Sequence, residues 1–354
     1  MAIFSLLATF EQYFGKPIEC MKISKDIPDS MINTYCWITS TFSVPNRWEK
    51  NNPLHHGIAP EANLDIGKEM KYHKYYQWVP FFFALEAILF YLPRYVWKSS
   101  ENGKVKMLVG KLNEPILHAK DPIKDDKAKE NQINEIVKYF RIHRGTHSQY
   151  AMRFFAMEIL NFIHVVGQIF FIDHFLGGEF LTYGTDVISY SNLEHEDRHD
   201  PMAVVFPKLA KCTFNKYGPS GTIEKKDTMC VLSINIINEK IFIFVWFWLA
   251  ILGIVTGLHL LFRFSTFLSK QMRVGLIKIY GGRSCRPSEI AAFIEVPSMS
   301  YDEKLGDWFL LQLICKNLNI LSVNKLIKNL NKSEEVSNSN ETLELRVDHK
   351  TAHV

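Results

Sequence analysis

The chain predicts an all-α polytopic membrane protein with a small disulfide-linked α/β ectodomain and a helical cytoplasmic domain. Three observations predict it. Apolar runs long enough to cross a bilayer recur along the sequence, four of the six cysteines fall as two pairs in polar segments between them, and basic residues crowd the remaining segments. Small net positive charge spread over long loops gives no reason to expect a nucleic-acid partner.

A hydrocarbon core of about 30 Å takes about 20 predominantly apolar helical residues. Residues 1–10 are an apolar decapeptide, Met1 to Phe10, whose helical rise of about 15 Å is half of that core. Residues 11–74 form a polar loop that holds Cys20 and Cys36. Residues 75–97 are the first complete span, with Tyr75, Tyr76 and Trp78 at one end and Tyr95 and Trp97 at the other, where amphipathic rings prefer the headgroup region. Pro80 is expected to bend this helix where it meets the loop, because proline lacks an amide donor and clashes with the preceding turn.

Residues 98–153 are a lysine-rich loop, and residues 154–176 a second span that carries Glu158, His164, Gln168 and Asp173. Together with Glu86 these polar groups either pair between helices or face water, since isolated polar groups in lipid are costly; pairing within the subunit is the preferred reading over permeation. Residues 177–240 form a second polar loop with Cys212 and Cys230, and its Pro207, Gly218, Pro219 and Gly221 around short apolar runs predict a small sheet. Residues 241–262 are the last span, with His259 as its one ionisable residue. Residues 263–330 mix apolar and charged residues, with Trp308, Phe309, Leu310, Leu311 and Leu313 close together, as a small helical domain requires. Residues 331–354, rich in Ser, Asn, Glu and Lys, are expected to be a disordered tail.

Sidedness follows from two independent arguments. Disulfides persist in oxidising compartments, which puts both cysteine-bearing loops outside and Cys285 and Cys315 on the reducing side. Lys and Arg near membrane ends are retained in the cytoplasm, which puts 98–153 and the segment after Phe262 inside. The four loop cysteines allow three connectivities, pairing within each loop among them.

At this point the residues resemble a known family. Tyr75-Tyr76-Gln77-Trp78-Val79-Pro80 resembles the YYQWV signature of the innexins, the gap-junction proteins of invertebrates. The likeness extends through Gly15-Lys16-Pro17-Ile18-Glu19-Cys20, Tyr35-Cys36-Trp37, Lys211-Cys212-Thr213-Phe214 and Gly306-Asp307-Trp308-Phe309-Leu310-Leu311, in order along nearly the whole chain to about Leu330. The resemblance implies a four-helix membrane subunit with both termini cytoplasmic, at gap junctions of the plasma membrane. Its partners would be other innexin subunits in a homo- or hetero-oligomeric ring, an octamer, with membrane lipid around it and the docking hemichannel of a neighbouring cell opposite. It also implies disulfides between the two loops, Cys20 with Cys230 and Cys36 with Cys212.

Innexins carry a further amino-terminal helix and the rest of the first span ahead of this point, so residues 1–10 read as a remnant of the first transmembrane helix. A non-conducting adhesive or regulatory (dominant-negative) membrane protein is therefore the alternative to a channel that passes ions and small molecules.

No paired catalytic carboxylates, nucleophile elbow or phosphate cradle stands in a usable context, and Gly281-Gly282 lacks the spacing and lysine of a P-loop. The chain is read as no enzyme, with no catalytic residue, cofactor or metal centre. His55-His56 lacks a third metal ligand at fixed spacing, and the acidic, histidine-bearing run Glu194-His195-Glu196-Asp197 is read as a solvated loop.

Overall fold

The computed structural model describes residues 1–24, 27–44, 58, 70–113, 122–191, 201–282 and 285–333. They divide into two compact units, one formed by Met1–Leu92 and Phe162–Val255, the other by Pro93–Asn161 and the chain from Thr256 onward.

Three long helices contribute to both units: α3 (Val79–Glu101), α6 (Ser148–Phe175) and α9 (Ser233–Leu268), each long and apolar enough to cross a membrane. Against the expected segments, α9 runs longer at both ends, α6 starts earlier at Ser148, and α3 starts later at Val79 but runs on past Trp97 to Glu101, because backbone hydrogen bonding continues into flanking polar residues. Pro80 lies in the first turn of α3, where its missing N–H has no partner to lose, so it starts the helix instead of bending it. Most of each apolar window stays unburied, Ile88, Ile163, Ile254 and Leu258 among the exposed side chains. Such surfaces are covered by lipid or by other helices.

In the first unit, α1 (Ala2–Phe14) runs past Phe10 into the expected loop. After it come β1 (Glu19–Cys20), α2 (Asp29–Thr39), β2 (Thr41–Ser43) and β3 (Lys71–His73), with α7 (Phe180–Ser191) and α8 (Pro201–Val205) later in the chain. The hairpin β4 (Leu209–Tyr217) and β5 (Ile223–Val231) completes an antiparallel sheet of order β1-β5-β4-β2-β3. Both loops thus supply strands. Ala210, Cys212 and Phe214 alternate along β4 and turn one face inward, as a half-buried strand requires. Ile32 and Cys36, one turn apart on α2, join them in a core with Tyr76 and Leu232. A second core is aromatic: Phe82 stacks on Phe175 at 4.1 Å between centroids, and Phe242 meets Phe83 and Phe206 at 5.1 Å each.

The second unit gathers α4 (Lys104–Val109), α5 (Pro122–Ile142), α10 (Lys270–Gly281), α11 (Pro287–Ile294) and α12 (Tyr301–Lys316). A further helix follows over residues 320–333, so the boundary drawn at Leu330 falls inside it, and residues 334–354 of the expected tail lie outside the described residues. Helix α12 starts with a capping box, Ser300 with Glu303, and buries Trp308, Phe309, Leu310 and Leu311 completely. Ten of its residues are buried, on several faces, so it is the central helix of this unit.

Candidate functional site

The cysteine-bearing segments converge on the sheet. Cys20 on β1 stands opposite Cys230 on β5 and is bonded to it. Cys36 on α2 is bonded to Cys212 on β4, with both sulfurs fully buried. One bridge fastens an edge strand of two residues that few backbone hydrogen bonds could hold, and the other fastens a helix to the sheet. Sequence separations of 210 and 176 residues mean that each closes a very long loop. Cys285 and Cys315 are free, buried thiols of the other unit. Burial, with Cys285 nearby, pushes the Cys315 thiol up to about 12 and keeps it protonated and unreactive.

The signature residues join the sheet to α3. The Tyr75 hydroxyl donates to the Val205 carbonyl at 3.1 Å, and its ring meets Phe206 edge-on. Tyr76, fully buried, packs against Trp37 at 4.9 Å, and the Gln77 amide donates to the Trp37 carbonyl. Val79 and Pro80 are buried at the helix start, and the Ser5 hydroxyl donates to the Pro80 carbonyl at 2.8 Å. Only Trp78 turns outward, at 62% exposure. Because Trp37 adjoins Cys36, the signature, the second bridge and the start of α3 form one contact chain.

His73, next to this chain on β3, is buried and lies 2.7 Å from the Ser43 hydroxyl. Burial, helped by Lys71, pushes its pKa down from 6.5 to about 4. The unfolded chain then takes up a proton between those values that the folded chain refuses, so stability falls as pH drops from 6.5 toward 4, by about 3 kcal/mol in full. Thermal unfolding across this window should show that loss, and His73→Gln should flatten it; an unchanged slope in the variant would remove His73 as its source.

Four of the five polar groups of the spans pair within a unit, whereas His164, among the described residues, only meets the Phe90 ring edge-on at 5.0 Å. In the amide orientation that satisfies both groups, Gln168 donates to the two Glu86 carboxylate oxygens at 2.9 and 2.6 Å. Asp173 caps α7, accepting from Phe180 N–H at 2.9 Å and Leu181 N–H at 3.0 Å. In the other unit Arg263 grips Glu158 with two bonds, 2.9 and 2.8 Å, and His259 reaches the same carboxylate at 3.1 Å. Arg263 counts in the sequence only as one basic residue beside a membrane end. The signal for its role was an acid inside one apolar span and an arginine one residue past the end of another.

Another cluster escaped sequence reasoning. Asp307 accepts from the Gly145 amide at 3.0 Å and bonds His147 Nδ1 at 2.7 Å, while His147 Nε2 lies 3.0 Å from the Tyr139 hydroxyl. His55, His56 and the run Glu194 to Asp200 lie outside the described residues. Among the described residues, the close group of metal-capable side chains is Cys20, Cys36 and Cys230, whose sulfurs are consumed in the disulfides.

The family model described as Innexin matches residues 1–333. Innexin inx2 of Schistocerca americana is 45% identical over 335 residues, covering 94% of this chain and 88% of that protein. Innexin inx2 of Drosophila melanogaster is 44% identical over 332 residues, covering 93% and 86%, and innexin shaking-B of the same fly is 38% identical over 328 residues, covering 92% and 84%.

Proposed function

The chain belongs to the innexin family of gap-junction channel subunits, and from that premise we propose how it is arranged and assembled. It is a membrane protein of the gap junction that oligomerises with innexin subunits and passes ions and small molecules without a chemical step. In our reading α3, α6 and α9 cross the membrane and α1 belongs to a fourth transmembrane helix, with 11–74 and 177–240 outside the cell and 98–153 and the segment after Phe262 inside. Eight such subunits form a ring, homomeric or mixed, bounded by lipid, and two rings dock through their outer faces.

The observation that carries this reading is the doubly bridged sheet, to which both cysteine-bearing segments contribute. A bridged sheet is stiff before it meets a partner, so less freedom is lost on docking. The crowding of lysines between the first two spans supports the assigned sidedness, and the uncovered apolar faces of α3, α6 and α9 support neighbours in the ring.

Paired cells expressing this chain should show junctional current and dye transfer. A cysteine at exposed Lys225 of β5 should react with an impermeant maleimide on intact cells, and one at exposed Lys106 only after permeabilisation. Labelling at position 106 from the medium would refute the sidedness. Surface delivery without current would favour the adhesive or regulatory role.

A further inference from the structure

We propose that the recess between β3, the Tyr75–Gln77 turn and the α6–α7 corner binds a membrane glycerophospholipid, its phosphodiester on Lys74 and its acyl chains along Trp78 and Phe175. The recess has a volume of about 350 Å³, within the range of small-molecule sites. Its lining divides by chemistry, with Trp78, Phe175 and Leu176 apolar and Lys71, Lys74 and Glu179 charged. Trp78 immediately precedes α3 and Phe175 ends α6, and the stacking of Phe82 on Phe175 brings these two helix ends together. The recess therefore lies where two membrane-crossing helices reach headgroup level, beside an outward-turned tryptophan.

Most polar groups of the recess are already engaged. Lys71 is bonded to Glu179, and His73, kept neutral by burial, is bonded to Ser43. The amides of Gly177 and Gly178 donate to the carbonyls of His174 and Asp173, so they form no anion cradle. Lys74 is exposed and has no hydrogen-bond or ion-pair partner among the described residues. Two lysines against one glutamate leave the recess one positive charge, the complement of a phosphodiester, and the adjoining apolar wall suits acyl chains where a free anion would gain nothing. The inference rests on the membrane placement of α3 and α6 alone, and not on conduction, ring size or the side that faces the cell exterior.

The test is native mass spectrometry of the full chain released from detergent and titrated with dioleoylphosphatidylglycerol, dioleoylglycerol or inorganic phosphate. One phosphatidylglycerol per chain should bind saturably, and Lys74→Ala should weaken it about fivefold, the share of one lysine at a headgroup surface. Lys225→Ala on β5 should change nothing. Dioleoylglycerol should bind at least as weakly as phosphatidylglycerol binds the Lys74→Ala chain, and phosphate should neither bind nor compete. Equal affinity for the Lys74→Ala and unaltered chains, equal affinity for dioleoylglycerol, or displacement by phosphate would each overturn the proposal. None of these results depends on whether the chain conducts, so failure here leaves the channel reading standing.

Discussion

Replacing Cys36 and Cys212 together by alanine should abolish junctional coupling and destabilise the sheet-bearing unit by roughly 2–5 kcal/mol. The bridge joins α2 to β4 inside the core that also holds Tyr76 and Phe214, and both sulfurs are fully buried. Its loss frees the helix against which Trp37 and the signature residues pack, so the damage should spread to the start of α3. Cys20→Ala with Cys230→Ala should be milder, because it releases only the edge strand Glu19–Cys20.

Loop-matched doubles sharpen the expectation. Cys20→Ala with Cys36→Ala leaves Cys230 and Cys212, each bonded to a different lost partner, and removes both fastenings at once. It should therefore be worse than either pair-matched double in thermal unfolding and in surface delivery. If the loop-matched double instead kept a bridge and the stability of a pair-matched one, the bonds would run within each segment and the proposed rigid docking face would lose its basis.

Legibility in the sequence followed the range of the interaction. The spans were readable because about 20 apolar residues in a row match the thickness of a bilayer core and exceed what one face of a soluble helix carries. Their ends were not: α6 begins at Ser148 and α9 at Ser233, where polar residues join the helix. In α9 these include Asn235, Asn238 and Glu239, which are buried, with Asn235 donating to the Pro207 carbonyl and Glu239 paired with Lys208. A small sheet was visible from the turn residues of the second loop, and Gly221 among them does take a positive φ of 79°. Strands β1, β2 and β3 were not, since two or three residues carry no measurable alternation. The bridged cysteines were legible as residues, and their partners were suggested by likeness to a family, because pairing across 210 and 176 residues leaves no local trace. The motif from Gly306 to Leu311 was likewise visible without its purpose, which depends on residues near position 147.

That purpose leads to the second large effect, expected at Gly306 and Asp307. A Cβ at position 306 would stand 2.4 Å from the Ser148 amide nitrogen and 2.5 Å from the His147 carbonyl carbon, distances that only backbone movement could relieve. Gly306→Ala should thus push α12 away from the first turn of α6 and cost about 1–3 kcal/mol or more. The next residue secures what the glycine allows. The Asp307 carboxylate takes the Gly145 amide and His147 Nδ1, which places the ring proton on Nδ1 and leaves Nε2 to accept from the Tyr139 hydroxyl. Asp307→Ala would strand two donors in a site where His147 is 1% exposed, at about 1–3 kcal/mol for each.

Asp307→Asn keeps the shape and an oxygen able to accept one of those bonds, so it should recover part of the loss. Thermal unfolding of the purified protein, with thiol labelling at buried Cys315 as a local probe, should rank the variants: Asp307→Asn least affected, then Gly306→Ala and Asp307→Ala together. Because Ser148 opens a membrane-crossing helix, surface delivery should fall in the same order. Wild-type melting in both Gly306→Ala and Asp307→Ala would mean that this corner does not hold the helix in place.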